Sequence, residues 1–268
     1  MKLLNGSELA GYIKERQAHD VRSIWGTQHV RPKLAILQSK DDPVINTYVR
    51  LKKRYGSDIG IEVEAHFVEQ KTLSSHILKL NEDTSVNGII VQLPLHDVAQ
   101  TEELVNMVAP EKDVDALGAH SKFYPATPMA ILWLLAGYNV VLEGKRVLLI
   151  GRGKLVGAPL EKILKKSGVD TTVVDRGAED LSAYTLNADV IITATGSPAI
   201  LYPSMIKEGA VVVDAGVASE SGKIVGDLSD EVYTREDITV TPVKGGVGPL
   251  TVCALFENVI IATKSQRA

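Results

Sequence analysis

Two hydrophobic periods alternate along this chain. Leu9, Tyr12 and Ile13 recur at helical spacing behind Ser7, which predicts an opening helix capped by that serine. Lys33 to Gln38 reads as a short apolar strand, and Val44 to Ser57 as a helix that stops before Gly60. Ile61, Val63, Ala65 and Phe67 alternate with Glu62, Glu64 and His66, the period of a strand. A helix over Thr72 to Leu80, a buried strand over Gly88 to Gln92 and a helix over Ala99 to Val108 follow. The alternation then restarts. Strands are predicted at Arg146 to Ile150, Thr171 to Val174, Val190 to Ala194, Ala210 to Asp214 and Ile238 to Thr241. Leu155 to Ser167 is a helix stopped by Gly168, and apolar positions from Val252 to Ala262 form a closing helix. Strands alternating with helices predict parallel sheets covered on both faces. The halves are expected to divide near Pro125-Ala126-Thr127-Pro128.

Composition narrows the function. The 268 residues correspond to about two domains at roughly 150 residues each. With 45% apolar and 23% charged residues, the chain is globular rather than disordered. Acidic side chains outnumber basic ones, 33 to 29, and only 5% of residues are aromatic. That balance argues against nucleic-acid binding, which needs cations for phosphates and rings for bases. The single cysteine, Cys253, forms no internal disulfide, and no histidine pairs with it or with another histidine at metal spacing, so no metal is predicted. Cys253 reads as a small buried apolar residue. The first residues turn polar at Asn5, unlike a signal peptide, and the apolar run Ile131 to Leu142 is too short and interrupted to span a bilayer. No membrane association and a cytoplasmic location are expected.

A nucleotide signal follows the strand ending at Ile150. Gly151, Gly153 and Gly157 are spaced Gly-x-Gly-x-x-x-Gly between strand and helix, with Arg152 and Val156 among them. The first glycine permits a tight turn, the second lets a phosphate approach the backbone, and the third lets helix and strand pack closely. The helix N-terminus offers N–H groups to a pyrophosphate. Asp175 and Arg176 end the next strand. An acid there bonds a ribose 2′-hydroxyl and favours NAD; Arg152 and Arg176 would pair with a 2′-phosphate and favour NADP. Both readings stay open, as does that of solvated surface charges. Thr195 and Gly196 lie at the carboxyl end of a later strand, where ligands bind in open α/β sheets.

Candidate chemistry in the first half is sparser. Tyr48 and Lys52 share one helix face, and a lysine with a lowered pKa can move protons. The same pair also reads as a packed tyrosine beside a snorkelling lysine. Gln92 is unusual at the end of an apolar strand. Asp113 and Asp115 sit in a predicted loop, where turn formation also accounts for them.

These residues carry a resemblance. Tyr48-Val49-Arg50-Leu51-Lys52, Gly88 to Leu95, Lys112-Asp113-Val114-Asp115, Ala126-Thr127-Pro128, Gly151-Arg152 with Val156-Gly157-Ala158-Pro159, and Gly245 to Thr251 occur in the order of the methylenetetrahydrofolate dehydrogenase/cyclohydrolase (FolD) family. Together they span nearly the whole chain, and the chain resembles that family throughout. The resemblance implies an α/β fold of two α/β domains. One would be a folate-binding catalytic domain over residues 1–120 plus 247–268, completed by the C-terminal helix. The other, 121–246, would be a Rossmann-type doubly wound parallel sheet binding NADP, with NAD possible. It also implies a homodimer and a folate lying in the cleft between the domains.

The activities implied are oxidation of 5,10-methylenetetrahydrofolate and hydrolysis of the methenyl product to 10-formyltetrahydrofolate. Lys52 would be the catalytic lysine, Tyr48 would pack on the pterin and orient it, Gln92 would hydrogen-bond Lys52, and Asp115 would bind the pterin ring. Gly246, Val247 and Pro249 would line the folate and nicotinamide end. Gly151, Arg152, Gly153, Val156, Gly157, Asp175, Arg176, Thr195 and Gly196 are the cofactor-binding set. The other readings are a monofunctional cyclohydrolase and a folate- or nucleotide-binding pseudoenzyme. Four departures from the family pattern stand out: Ala116 where glycine is usual, a shortened stretch from Ala116 to Tyr124, Gly153 in place of serine, and Lys244 in place of proline.

Overall fold

The computed structural model describes residues 1–175, 177–216, 218–220 and 223–266. In chain order the elements are β1 (Lys2–Leu3), α1 (Gly6–Gln28), β2 (Lys33–Gln38), α2 (Pro43–Ile59), β3 (Glu62–Phe67), α3 (Leu73–Glu82), β4 (Gly88–Val91), α4 (Thr101–Asn106) and α5 (Ala126–Gly137). They continue with β5 (Val147–Ile150), α6 (Gly157–Lys166), β6 (Thr171–Val174), α7 (Leu181–Thr185), β7 (Val190–Thr193), β8 (Val211–Asp214), β9 (Ala218–Glu220), β10 (Lys223–Val225), β11 (Thr239–Val240) and α8 (Val247–Ser265). The chain forms two compact units, residues 11–126 with 252–268 and residues 1–10 with 127–251.

The first unit holds a three-stranded parallel sheet in the order β3-β2-β4. Buried Leu34, Ile36, Ile89 and Ile90 make its strands apolar throughout, as a covered parallel sheet requires. The connection from β2 is α2. Its start is fixed by Asp42, whose carboxylate accepts from the Val44 and Ile45 amides, and by Pro43 at the first helical position. Gly60 ends it in the left-handed conformation at φ 85°. α8 is long and apolar enough to cross a membrane by length and composition. Its apolar residues Leu255, Phe256, Val259 and Ile260 are instead buried in protein, and the Phe256 ring lies 4.9 Å from that of Tyr55 on α2. Cys253 is buried and receives a hydrogen bond from the Tyr55 hydroxyl at 3.2 Å.

The second unit holds a six-stranded sheet in the order β1-β11-β8-β7-β5-β6, every neighbouring pair parallel. From β5 the chain crosses to β6 on one side and then returns to β7 on the other. The strand order therefore reverses between β5 and β7, the place where a doubly wound sheet opens a ligand crevice. Leu148, Ile150, Ile191, Val212 and Val240 pack its core.

Residues 1–10 belong to this unit and not, as expected, to the other. Lys2 and Leu3 pair with Thr239 and Val240, and Leu4 is buried. A two-residue edge strand has no period to read. The cap of α1 also differs from expectation: the Asn5 side chain, not Ser7, accepts from the Glu8 amide at 3.2 Å. Tyr12, one of the three apolar residues at helical spacing, is 66% exposed.

Candidate functional site

α2 presents Tyr48 and Lys52 one turn apart, with Tyr48 exposed. The Lys52 Nζ donates to Gln92 Oε1 at 2.8 Å. Gln92 follows β4, and its position is set at two further points. Its backbone N–H donates to the Leu37 carbonyl at 2.8 Å, extending the sheet by one bond, and its Nε2 donates to the Leu93 carbonyl at 3.0 Å. The amide oxygen is thereby turned toward the lysine. The peptide after Leu93, to Pro94, is cis.

Burial lowers the Lys52 pKa from the ordinary lysine value, and the Asp115 carboxylate opposes the shift. Burial likewise raises Asp115, with Lys52 opposing. The pair leaves an amine that sheds its proton more readily than a solvated lysine, beside a neutral hydrogen-bond acceptor. Such a group is better suited to exchange protons than a solvated lysine.

Each residue of the Lys112 to Asp115 run has a separate task. Lys112, 6% exposed, donates to the Leu80, Asn81 and Asp83 carbonyls at 2.9, 2.8 and 2.7 Å, closing the end of α3. Asp113 accepts from the Gly118 amide at 2.9 Å, and burial raises its pKa to about 6. Val114 is core, and its carbonyl accepts from Asn258 of α8 at 2.8 Å; the same Asn258 amide holds the Tyr124 carbonyl at 2.9 Å. Thus both ends of the short 114–124 segment are tied to α8. Ala116 sits in the left-handed region at φ 56°, a conformation that favours glycine.

In the second unit, Gly151 takes φ 96° at the end of β5, and a Cβ there would lie 2.8 Å from the Ala194 carbonyl oxygen beyond β7. A Cβ on Gly157 would lie 2.0 Å from the Gly151 oxygen, so α6 meets β5 without room for a side chain. At Gly153 an added Cβ meets nothing within 4 Å. The fold therefore demands the first and third glycines, while the second leaves open space at the helix start. That geometry fits a dinucleotide phosphate.

Arg152 is held by Glu161 of α6, Nε to Oε2 at 2.7 Å and Nη2 to Oε1 at 3.5 Å, and Lys165 donates to the same carboxylate at 2.8 Å. The two cations depress the Glu161 pKa, Lys165 most. Arg152, Glu161, Lys165, Val173, Val174 and Asp175 line one cavity of about 350 Å³. Arg152 and Asp175, read from the sequence as competing signals, thus face the same space. Arg176 lies outside the described residues.

The turn after β7 is braced by a residue absent from the sequence reading. Asp227 accepts from the Thr195 and Ser197 amides at 2.8 and 3.0 Å, which fixes the Thr195-Gly196-Ser197 turn. Asp214 in turn accepts from the Asp227 amide at 2.9 Å. Gly246 packs against Gly6, where a Cβ on Gly6 would lie 1.8 Å from the Gly246 oxygen. Val247 is buried and Pro249 half-buried at the start of α8. Glu161 had one legible signal, its spacing to Lys165 on one helix face; nothing in sequence links Asp227 to Thr195.

Comparison with known proteins agrees with both units. The model of the tetrahydrofolate dehydrogenase/cyclohydrolase catalytic domain matches residues 4–115, and that of the NAD(P)-binding domain of the same family matches residues 125–267. The Lactobacillus johnsonii bifunctional protein FolD 2 is 35% identical over 99% of this chain and 98% of its own length. A crystal structure of Campylobacter jejuni FolD, a methylenetetrahydrofolate dehydrogenase/cyclohydrolase, superposes with a TM-score of 0.93 at 36% identity over 99% of each chain. The Trypanosoma brucei methylenetetrahydrofolate dehydrogenase-cyclohydrolase, complexed with NADP cofactor and an inhibitor, superposes at 0.92 with 29% identity, over 99% of this chain and 98% of that one. With both domain models matched in order and the likeness running the full length, this chain belongs to the tetrahydrofolate dehydrogenase/cyclohydrolase family.

Proposed function

We propose that this chain oxidises 5,10-methylenetetrahydrofolate with NADP⁺ and hydrolyses the methenyl product to 10-formyltetrahydrofolate, using Lys52, Gln92 and Asp115 for the proton transfers. The Lys52–Gln92 hydrogen bond at 2.8 Å, on a lysine whose pKa burial lowers, carries this reading. Oxidation removes a hydride from the methylene carbon and leaves a methenyl cation. NADP⁺, when bound, supplies the hydride acceptor. Hydrolysis adds water to that carbon. The Lys52 amine takes the proton lost by the adding water and returns a proton to the nitrogen whose C–N bond breaks; the remaining hydroxyl proton leaves to solvent as the formyl C=O forms.

Gln92 accepts from either form of the lysine through its amide oxygen, so it holds Nζ in place while the charge changes. Asp115 binds the pterin and limits how far the lysine pKa falls. Tyr48, exposed on the same helix face, stacks on the pterin. Gly246, Val247 and Pro249 are assigned to the folate on the family resemblance.

The Gly151 to Gly157 turn, with Arg152, Gly153 and Val156, binds the cofactor pyrophosphate. Asp175 and Arg152 address its adenosine ribose, and Thr195 and Gly196 complete the cofactor site. By the same resemblance the protein acts as a cytoplasmic homodimer, and its product supplies one-carbon units for purine synthesis.

The test is an absorbance assay with 5,10-methylenetetrahydrofolate and NADP⁺ or NAD⁺, following reduced cofactor and methenyl intermediate together. Reduction followed by decay of the intermediate is expected. Hydrolysis of added methenyltetrahydrofolate with no reduction of either cofactor would mean a cyclohydrolase alone. Binding without either reaction would mean a pseudoenzyme.

A further inference from the structure

The cavity at the end of β6 holds a carboxylate that the cofactor reading does not use. Resting on the assignment of the Gly151 turn to a dinucleotide, this cavity is where the adenosine ribose 2′ position belongs. Two cations suited to a 2′-phosphate, Arg152 and Lys165, line it, and both are bound to Glu161 at 2.7 and 2.8 Å. The carboxylate side chain is 9% exposed, whereas those of Arg152 and Lys165 are 63% and 58% exposed. Glu161 is thus the floor of the subsite and the cations its rim. A phosphate entering there meets cations already compensated by one buried negative charge, with Asp175 contributing a second on the same wall. A ribose hydroxyl meets no such opposition and has a carboxylate to donate to.

We propose that Glu161 is a specificity-determining residue. By compensating Arg152 and Lys165 it weakens their grip on a 2′-phosphate, narrows the preference for NADP over NAD, and admits both cofactors. It touches no reacting atom and acts through the two cations.

Isothermal titration calorimetry on the full chain tests this with four nucleotides: NADP⁺, NAD⁺, adenosine 2′,5′-bisphosphate and 5′-AMP. In Glu161→Gln the two 2′-phosphorylated ligands are expected to bind about tenfold more tightly, with NAD⁺ and 5′-AMP changed less than about twofold. Lys165→Met provides the opposite perturbation outside the Arg152 contact and should weaken only the 2′-phosphorylated pair, by a similar factor. Unchanged or weaker NADP⁺ binding in Glu161→Gln with intact NAD⁺ binding overturns this proposal alone, as does a parallel shift of all four ligands. Binding of none of the four by the unaltered protein overturns the dinucleotide assignment itself.

Discussion

Gly157 and Gly153 separate what the fold requires from what the cofactor requires. A methyl group at 157 would stand 2.0 Å from the Gly151 oxygen and 2.9 Å from the Arg152 Cα, both backbone atoms at the end of β5. Ordinary contact begins at 3.4 Å, so α6 must retreat by more than an ångström or the turn must rearrange. Overpacking of this kind costs about 1–3 kcal/mol, and a clash with backbone on both sides belongs at the upper end. At about 3 °C per kcal/mol, Gly157→Ala should lower the melting temperature of the unit by roughly 10 °C. Gly153 has open space around its added Cβ, so Gly153→Ala should melt within about 1 °C of the unaltered protein or slightly above it. In the same open space the carboxylate of Gly153→Asp would repel the pyrophosphate, so NADP⁺ affinity should fall at least about tenfold, roughly 1.4 kcal/mol. Differential scanning fluorimetry and calorimetric titration measure the two effects independently. An unchanged melting temperature in Gly157→Ala would refute the packing argument, and unchanged NADP⁺ affinity in Gly153→Asp would refute the role given to this turn.

Two further substitutions probe the other unit. Gln92→Glu places a carboxylate where the Lys52 amine now meets a neutral oxygen at 2.8 Å. An adjacent opposite charge favours the ammonium form, so the Lys52 pKa rises and the limb of the cyclohydrolase pH profile that needs neutral amine moves alkaline by about 1–2 pH units; an unmoved or acid-shifted limb would contradict the pairing. Ala116→Gly relieves the left-handed conformation at φ 56° and should stabilise the protein by about 1 kcal/mol in urea unfolding, whereas a loss of stability would show that the alanine side chain is needed there.

Much of this architecture was legible because parallel strands declare themselves. β2 and β6 fall on the residues expected, and β5, β7 and β8 within one residue at either end, since each is a short apolar run bounded by polar turns. The third glycine of the turn was readable as a packing glycine, and the structure places a backbone oxygen where its side chain would be. Elements without a period escaped. β1 has two residues, α7 has five, and α5 is apolar on every side, so none shows the one-faced stripe that marks a helix or the alternation that marks a strand. The site divides in the same way. Lys52 and Tyr48 share a helix face and could be paired by counting residues. Gln92 stands 40 positions from Lys52 and meets it only through sheet geometry, so its partner entered through family resemblance. Glu161 announces only its i,i+4 partner Lys165, while Asp227 acts on Thr195 and Ser197 about thirty residues away, and no local pattern links it to them.

In the proposed mechanism Lys52 moves the proton in the hydrolytic step while the cofactor is held elsewhere in the chain. Lys52→Met keeps the length and apolar stem of the side chain and removes the amine. Methenyltetrahydrofolate hydrolysis and NADP⁺ binding, measured side by side on this variant, test the claim most directly. Hydrolysis is expected to fall to the uncatalysed rate, with the NADP⁺ dissociation constant changed less than about twofold. Hydrolysis persisting at the rate of the unaltered protein would contradict it and remove Lys52 from the chemistry.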